Sequence, residues 1–180
     1  MDARMLRSRA ALNSALLELI ALRPFDQISV RDITAQAGVG YATFFRHHAS
    51  KEALLERAAA DQIRQLVATA LAVMDATDTR ASCMALCTYV DEHRAIWSAL
   101  LTSGAQQVMR DEFARVAMEV SSTRANGWIP AEVGVLVTAG STIEILSWWL
   151  RQTEKVPVAQ VAKMLDWLVM SPLVLSGSAE

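Results

Sequence analysis

The sequence predicts an all-α fold of about nine helices, and three observations carry that prediction. Of 180 residues only 7 are Gly and 4 are Pro, which leaves little material for the many tight turns of an all-β fold. The residues that favour helices, among them Ala, Leu, Met, Glu, Gln and Arg, are plentiful. Apolar residues make up 53% of the chain and charged residues 20%, a balance that supports a sizeable core and excludes a disordered chain.

The first predicted helices lie close together at the N-terminal end. Apolar residues recur at helical spacing over residues 6–22, and Pro24 ends that helix. Ser29 and Asp32 fit a capping box that opens a short second helix. This second helix stops at Gly38, a residue type that commonly ends helices in the left-handed conformation.

A third short helix is predicted over residues 40–47, and Ser50 is the expected N-cap of a long helix that ends near Met74. Two short helices joined by a glycine turn, behind a longer helix, are typical of a helix-turn-helix domain. We therefore expect a three-helix head, a connecting helix and a C-terminal helical bundle, over residues 1–50, 51–74 and 75–180.

Five further helices are predicted after a polar break, with Pro and Gly residues between them. The fourth of these contains the most apolar long window of the chain, residues 133–150. Because this window carries Glu144 and several hydroxyl side chains, it indicates a buried helix of a soluble protein and not a membrane span. The predicted bounds are 80–92, 93–102, 104–124, 131–152 and 157–171.

The first 15 residues lack the uninterrupted apolar stretch of a signal peptide, so we expect a cytoplasmic protein without a membrane partner. The sequence has no serine–histidine–acid arrangement, H-E-x-x-H motif or glycine-rich phosphate loop. His47 and His48 are adjacent and would point about 100° apart on a helix. Cys83 and Cys87, with His93 nearby, lack a second pair of metal ligands and are expected to be reduced core thiols. These observations predict no enzyme activity, no metal and no cofactor.

The most specific pattern lies in residues 28–55. This stretch resembles, without a gap, the DNA-binding signature of the TetR family of transcriptional regulators, and the resemblance begins at Leu12. The family pattern runs roughly T-V-x-D-I-A-x-x-A-G-V-S-x-G-T-x-Y-x-H-F-x-x-K-E-x-L. The residues in matching places are Val30, Asp32, Ile33, Ala37, Gly38, Val39, Thr43, His47, Lys51, Glu52 and Leu54.

Several positions depart from the family pattern, among them Ala42, which stands where the family has another small residue. Gly40 replaces a Ser whose side chain would cap the recognition helix, although Gly is an acceptable N-cap. Phe45 keeps the ring of the family's Tyr but lacks a hydroxyl that could reach phosphate. His48 stands where the family has a core Phe, and we expect it to pack against the first helix as a polar aromatic with its hydrogen bonds satisfied.

The resemblance implies a short recognition helix that enters the major groove of DNA. Arg46 could donate two hydrogen bonds to a guanine there, although a solvated Arg46 is an equal alternative. Contacts to phosphate would position the protein without reading sequence. By position, the groove contacts are Tyr41 and Thr43, followed by Ala42 and Arg46, and the phosphate contacts are His47 and Lys51, with Arg31 also expected on DNA.

The formal net charge of −2 first argues against DNA binding, because DNA-binding domains are usually basic. The charge is unevenly distributed, however. Residues 1–60 carry 8 Lys and Arg against 6 Asp and Glu, whereas residues 61–180 carry 9 against 13. A mildly basic head on an acidic body predicts modest non-specific affinity and strong reliance on matched operator contacts.

All five Trp residues follow residue 90, and with several Met residues they are candidates for lining an apolar effector cavity. Plain core packing is the alternative. Glu144 could orient a ligand, but exposure or pairing with an arginine such as Arg94, Arg115 or Arg124 is the favoured interpretation. The candidate pocket residues are Met84, Trp97, Met109, Met118, Trp128, Glu144 and Trp148.

The helix predicted over residues 131–152 is apolar on more than one side, which indicates a partner beyond its own core. One stripe holds Leu136, Gly140, Ile143 and Leu150, and another holds Val133, Val137 and Trp148. In proteins of the resembled family the last two helices pair with their copies in a four-helix dimer interface. The resemblance thus implies a homodimer through residues 131–152 and 157–171, with Leu136, Gly140, Ile143, Leu150, Met164 and Trp167 at the interface.

These inferences predict a TetR-like DNA-binding transcriptional regulator. We expect a repressor that a small apolar or amphipathic molecule releases from a near-palindromic operator. Its expected partners are double-stranded operator DNA, that effector and a second copy of the chain. Two alternatives stay open: a helical small-molecule-binding module or enzyme with a decayed DNA-binding head, and a coregulator that only dimerises with other proteins.

Overall fold

The computed structural model describes residues 3–72, 79–102, 105–121 and 129–172. Within them the chain forms nine α-helices and no strand, so the predicted all-α fold is confirmed. The predicted end of the fourth helix near Met74 lies outside the described residues. The helices are α1 (Ala3–Leu22), α2 (Val30–Gln36), α3 (Tyr41–His47), α4 (Lys51–Ala72), α5 (Thr79–Glu92), α6 (Arg94–Thr102), α7 (Gln106–Ser121), α8 (Ala131–Leu150) and α9 (Val158–Leu165).

Two shorter helical pieces complete the described chain. A 3₁₀ turn, Phe25–Gln27, follows Pro24 between α1 and α2. A π-helical segment, Asp166–Met170, continues α9, so the last predicted helix is present but widens in its second half. The buried apolar side chains form one continuous cluster that runs from α1 to this π-helical segment.

The start of α2 forms as the sequence predicts. The Oγ of Ser29 accepts a hydrogen bond from the backbone N–H of Asp32 at 3.2 Å, and Oδ2 of Asp32 accepts one from the N–H of Ser29 at 2.8 Å. These hydrogen bonds to Ser29, with Arg23 close by, lower the pKa of the Asp32 carboxyl. The predicted capping box is therefore confirmed.

The N-terminal helices pack onto the rest of the chain through α1, which contacts α2, α4 and α6. Its apolar face buries Leu12, Leu16 and Ile20. Further along the chain, α4 packs against α5 and α7, α7 packs against α8, and α5 packs against α9. This arrangement joins α1, α2 and α3 to the rest of the chain through the contacts of α1 with α4 and α6.

Among the described residues α8 alone is long and apolar enough to cross a membrane, and it packs against α7, α6 and α9 as a core helix does. Its inner face buries Ala139, Ile143 and Leu146, and Leu150 is buried at its end. The assignment of Ile143 and Leu150 to a dimer interface is therefore corrected. Both side chains are already covered by the core of their own chain.

The end of α8 is fixed to α6 by polar contacts. Arg94 donates from Nη2 to the carbonyl oxygen of Trp149 at 3.1 Å, and its guanidinium lies 5.1 Å from a ring centroid of the same indole. The indole N–H of Trp149 donates to the carbonyl of Val156 at 2.9 Å.

In α5, Cys83 and Cys87 are buried and form no disulfide, and burial raises the pKa of each thiol to about 12.

Candidate nucleic-acid interface

The orientation of α3 is set by Phe44, which is fully buried. Successive residues of an α-helix turn by about 100°, so the direction opposite Phe44 falls between Ala42 and Arg46. Both of these residues are exposed. Thr43 and Phe45 flank this outward face on its two sides. The structure therefore places Ala42 and Arg46 at the centre of the face that the sequence assigned first to Tyr41 and Thr43.

Arg46 and Thr43 are joined on this face. The guanidinium donates from Nη2 to Oγ1 of Thr43 at 2.7 Å. A guanidinium has five N–H donors, so four remain after this contact. An arginine that makes one hydrogen bond through Nη2 can still present a pair of N–H donors to a planar acceptor such as the edge of a guanine.

Two aromatic rings extend the outward face of α3. Tyr41 and Phe45 lie one turn apart with ring centroids 5.2 Å apart in an edge-to-face arrangement. They are 52% and 49% exposed. The family pattern marks Phe45 only as the loss of a hydroxyl, although its spacing of four from Tyr41 predicts that the two share a face. Apolar side chains at such positions can contact the methyl group of thymine.

The turn that leads into α3 depends on two glycines with different conformations. Gly38 has a φ of 64°, in the left-handed region that glycine alone adopts without strain. Gly40 is the N-cap of α3 with φ −70° and ψ 146°, and no side chain caps the helix. A Cβ built on Gly40 would meet only Oγ1 of Thr43, at 3.7 Å. The backbone at Gly40 therefore accommodates the Ser that the family pattern has there.

His48 follows α3 and is buried, with its ring 5.8 Å from the ring of Phe44. Its Nε2 has no hydrogen-bond partner among the described residues, so the expectation of a satisfied histidine is wrong. Burial, with smaller contributions from the nearby charges of His47, Arg9 and Arg57, lowers the pKa of His48 from its usual 6.5. The site of His48 therefore accommodates a neutral aromatic ring and disfavours a protonated imidazole.

The cations expected on phosphate differ in their surroundings. Arg31 is exposed on α2, and His47 is partly exposed at the end of α3. Lys51 is different, because its ammonium contacts backbone carbonyls of its own chain, at 3.1 Å from Phe25 and 2.9 Å from Ile28. The structure therefore brings Arg31 and His47 to the surface and holds Lys51 against the turn before α2.

The candidate effector residues are not brought together around one cavity. Trp97 and Met109 are buried, whereas Glu144 and Trp148 lie on the exposed side of α8. Met84 and Met118 are half-buried, and Trp128 lies outside the described residues. Two surface cavities, of about 600 and 520 Å³, are lined by other residues, near the ends of α1 and α3.

The arginine partner of Glu144 is Arg110, which is none of the three arginines expected from the sequence. Its carboxylate accepts from Nη2 of Arg110 at 2.5 Å and from Nε2 of Gln106 at 3.3 Å. In the structure Glu144 is thus both exposed and paired, which agrees with the favoured interpretation of it as exposed or structurally paired. Of the named alternatives, Arg94 and Arg115 pair with other carboxylates, and Arg124 lies outside the described residues.

The C-terminal helices expose a row of large apolar side chains, which we call the α8–α9 face. The exposed apolar residues of α8 recur at the spacing of one helical face. The π-helical segment after α9 packs against α8 and adds two more exposed apolar side chains. Of the predicted interface residues, Leu136 and Trp167 lie here at 65% and 63% exposure, with Gly140 and Met164 half-buried. The face consists of Val133, Leu136, Val137 and Trp148 on α8 and Trp167 and Leu168 after α9.

Comparison with known proteins gives a family for the N-terminal helices. Residues 12–58 match the sequence model described as "Bacterial regulatory proteins, tetR family". An uncharacterized HTH-type transcriptional regulator of Bacillus subtilis (strain 168), YxbF, is 39% identical over 56 residues, which are 31% of this chain. The match spans 15% of the length of that relative. The resemblance found in the sequence is thereby confirmed.

Solved structures match the fold over nearly the whole chain. A TetR transcriptional regulator from Streptococcus agalactiae 2603V has a TM-score of 0.66 at 23% identity, covering 93% of this chain and 96% of that one. Lin0861 from Listeria innocua has a TM-score of 0.70 at 16% identity, covering 92% and 91%. RolR in complex with resorcinol has a TM-score of 0.62 at 19% identity, covering 98% and 96%. At these identities the likeness is one of fold.

Proposed function

We propose that this chain is a member of the TetR family of bacterial regulatory proteins and that it represses transcription by binding operator DNA through α3. The observation that carries the proposal is the outward face of α3, which holds Ala42 and Arg46 opposite the buried Phe44 within the family-matched segment. A short helix with one buried anchor and an exposed arginine suits insertion into a major groove. Residues 1–50 form the DNA-binding head in this proposal, residues 51–74 the connecting helix, and residues 75–180 the body.

Within this proposal, each side chain has a role that follows from its place on the head. Ala42 and Arg46 meet base edges at the centre of the groove, and Tyr41 and Thr43 meet them from the sides. His47 and Arg31 reach phosphate at the edges of the footprint. Because the head carries only a small positive excess, most of the affinity must come from matched base contacts.

A homodimer through the α8–α9 face is part of the proposal. The exposed apolar side chains on this face, Leu136 and Trp167 among them, would be covered by the same face of a second copy. Gly140 has no side chain to keep a second helix away, and the space beside it is open, because a Cβ built on it meets nothing within 4 Å. A two-fold dimer presents two copies of α3, so the operator is expected to be near-palindromic.

We place the effector in the body, where the fold leaves buried polar atoms without partners. The indole N–H of Trp97 and Oγ1 of Thr142 are both fully buried and have no hydrogen-bond partner among the described residues. A small, mostly apolar molecule with a hydrogen-bonding group would satisfy such atoms. RolR, whose fold is similar, has been solved with resorcinol and without ligand. Effector and operator binding would oppose each other by the same coupling energy.

A gel-shift assay with DNA fragments that flank the chain's own gene tests the proposal. We expect a salt-sensitive shift with at least one fragment that unrelated DNA of equal length does not compete away. A decayed DNA-binding head, or a coregulator that only dimerises, predicts instead a discrete oligomer that prefers no fragment. That result would contradict the proposal.

A further inference from the structure

The ammonium of Lys51 is surrounded by the 3₁₀ turn before α2. Its Nζ lies 3.1 Å from the carbonyl oxygen of Phe25, 2.9 Å from that of Ile28 and 3.5 Å from that of Asp26. It also lies 4.6 Å from the centroid of the Phe25 ring, within the range of a cation–π contact. A lysine ammonium has three N–H donors, so these three carbonyls account for all of them.

The position of Lys51 in its own helix makes this arrangement informative. It is the first residue of α4, where the helix dipole disfavours a positive charge. The carbonyls it contacts belong to the 3₁₀ turn and to Ile28 after it, and the carbonyl of Phe25 also accepts a hydrogen bond from the backbone N–H of Ile28 at 3.1 Å. The ammonium is therefore an additional donor to these carbonyls, and their partial negative charges offset the unfavourable helix dipole.

The contact joins the two ends of the helix-turn-helix unit. Ile28 comes just before α2, and Lys51 comes just after α3. The chain between these two residues contains α2 and α3. The hydrogen bond from Lys51 to Ile28 therefore joins the start of this helix-turn-helix unit to its end. Arg23 and Asp32 form an ion pair at 3.1 Å that ties the end of α1 to the first turn of α2.

We propose that Lys51 is a positioning residue for DNA recognition, which closes the unit from Ile28 to Lys51 and thereby sets the angle of α3, and that it does not contact phosphate. This assignment departs from the phosphate role that the family resemblance implies. It rests on the proposed DNA-binding function, because the angle of α3 matters only if α3 reads DNA.

The test uses two variants of the full chain, Lys51→Met and Lys51→Arg. Lys51→Met keeps the apolar stem and removes the charge and the donors. Lys51→Arg keeps a charge that could still reach phosphate, but its planar fork cannot place three donors on the carbonyls of one turn. The matched control is Arg31→Met, which removes the same charge from an exposed position on α2.

The measurements are the melting temperature, operator affinity at several salt concentrations well below melting, and affinity for random duplex DNA. For both Lys51 variants we expect a lower melting temperature and an operator affinity reduced by about tenfold or more, the loss that one misplaced base contact causes. Affinity for random DNA and the salt slope should stay as in the wild type. In Arg31→Met, the salt slope should fall instead.

Two results would overturn the inference while leaving the proposed function intact. A salt slope reduced by about one in Lys51→Met, with Lys51→Arg unaffected, would mean that Lys51 contacts a phosphate. A lower melting temperature with wild-type operator affinity would mean that the contact only stabilises the fold. If the wild-type chain selects no DNA sequence at all, the proposed function fails, and this inference fails with it.

Discussion

Nη2 of Arg46 donates a hydrogen bond to Oγ1 of Thr43 at 2.7 Å, across one turn of α3. This contact holds the guanidinium on the outward face of the helix before any DNA is present. Fewer side-chain conformations are then lost on binding, which favours affinity at a given number of contacts. In the proposed complex with DNA the pair would act as one unit, in which Thr43 positions the guanidinium and Arg46 contacts the base.

Replacing Arg46 tests that unit. We expect Arg46→Ala to weaken binding to the selected operator by about 1–3 kcal/mol, or about 5- to 150-fold, and to relax the preference at one base position of each half-site. Thr43→Val removes only the hydroxyl that holds Arg46, so it should weaken operator binding less than Arg46→Ala does. Arg151→Ala, in an exposed position after α8, is the charge-matched control and should bind as the wild type does. Unchanged base preference in Arg46→Ala would remove Arg46 from the recognition surface.

Replacing the two glycines of the turn should change the stability of the chain in opposite directions. Gly38→Ala forces a Cβ into the left-handed region and should destabilise the chain by about 1–2 kcal/mol, even though no atom lies within 4 Å of that Cβ. Gly40→Ser adds a cap side chain to an extended backbone and should stabilise it by up to about 1 kcal/mol. Urea unfolding measures both. Equal effects of the two variants would contradict the distinction between their backbones.

His48 should make stability depend on pH. Its pKa is lowered in the folded state from 6.5, so below that value the unfolded chain takes up a proton that the folded chain does not. Stability is therefore lost as the pH falls through 6.5 towards the pKa of the folded state. His48→Phe removes this dependence and also the unpartnered Nε2, so we expect a gain of about 1 kcal/mol or more at neutral pH.

Urea unfolding between about pH 8 and pH 5 checks this prediction, because the carboxyl groups change little in that range. The free energy of unfolding should fall towards acid pH in the wild type and stay flatter in His48→Phe. Parallel curves for the two proteins would show that another group carries the dependence.

The α8–α9 face should control the oligomeric state. Leu136→Glu places a charge in the middle of an apolar surface that a second copy would cover, so we expect a monomer at concentrations where the wild type is a dimer. Leu22→Glu is the matched control, since Leu22 is 82% exposed at the end of α1, away from that face. Sedimentation velocity separates the outcomes. A dimer that survives Leu136→Glu but not Leu22→Glu would place the interface elsewhere.

The local features of the head could be predicted from sequence because each depends on residues close in the chain. Ser29 and Asp32 form their capping box within one turn, and the break at Gly38 needs only a left-handed residue. The contacts of Lys51 could not be predicted in this way. They join residues more than twenty positions apart, and nothing in the sequence distinguishes a lysine that faces phosphate from one that faces carbonyls.

The body was harder to predict because α8 is apolar almost all round. Periodicity alone could not decide which apolar stripe faces the core, so Ile143 and Leu150 were assigned to a surface although the fold buries them. Val133 and Val137 belong to the outward stripe instead. Which side of such a helix is covered depends on its neighbours, here α6, α7 and α9.

The most direct test of the account is selection of binding sites from random duplex DNA, carried out in parallel with the wild-type chain and Arg46→Ala. We expect the wild type to enrich a near-palindrome whose half-sites lie about one helical turn of DNA apart or a multiple of it. We also expect Arg46→Ala to lose the preference at one symmetric pair of positions. Enrichment of no sequence by the wild-type chain, or of the same sequence with equal strength by both proteins, would contradict these expectations.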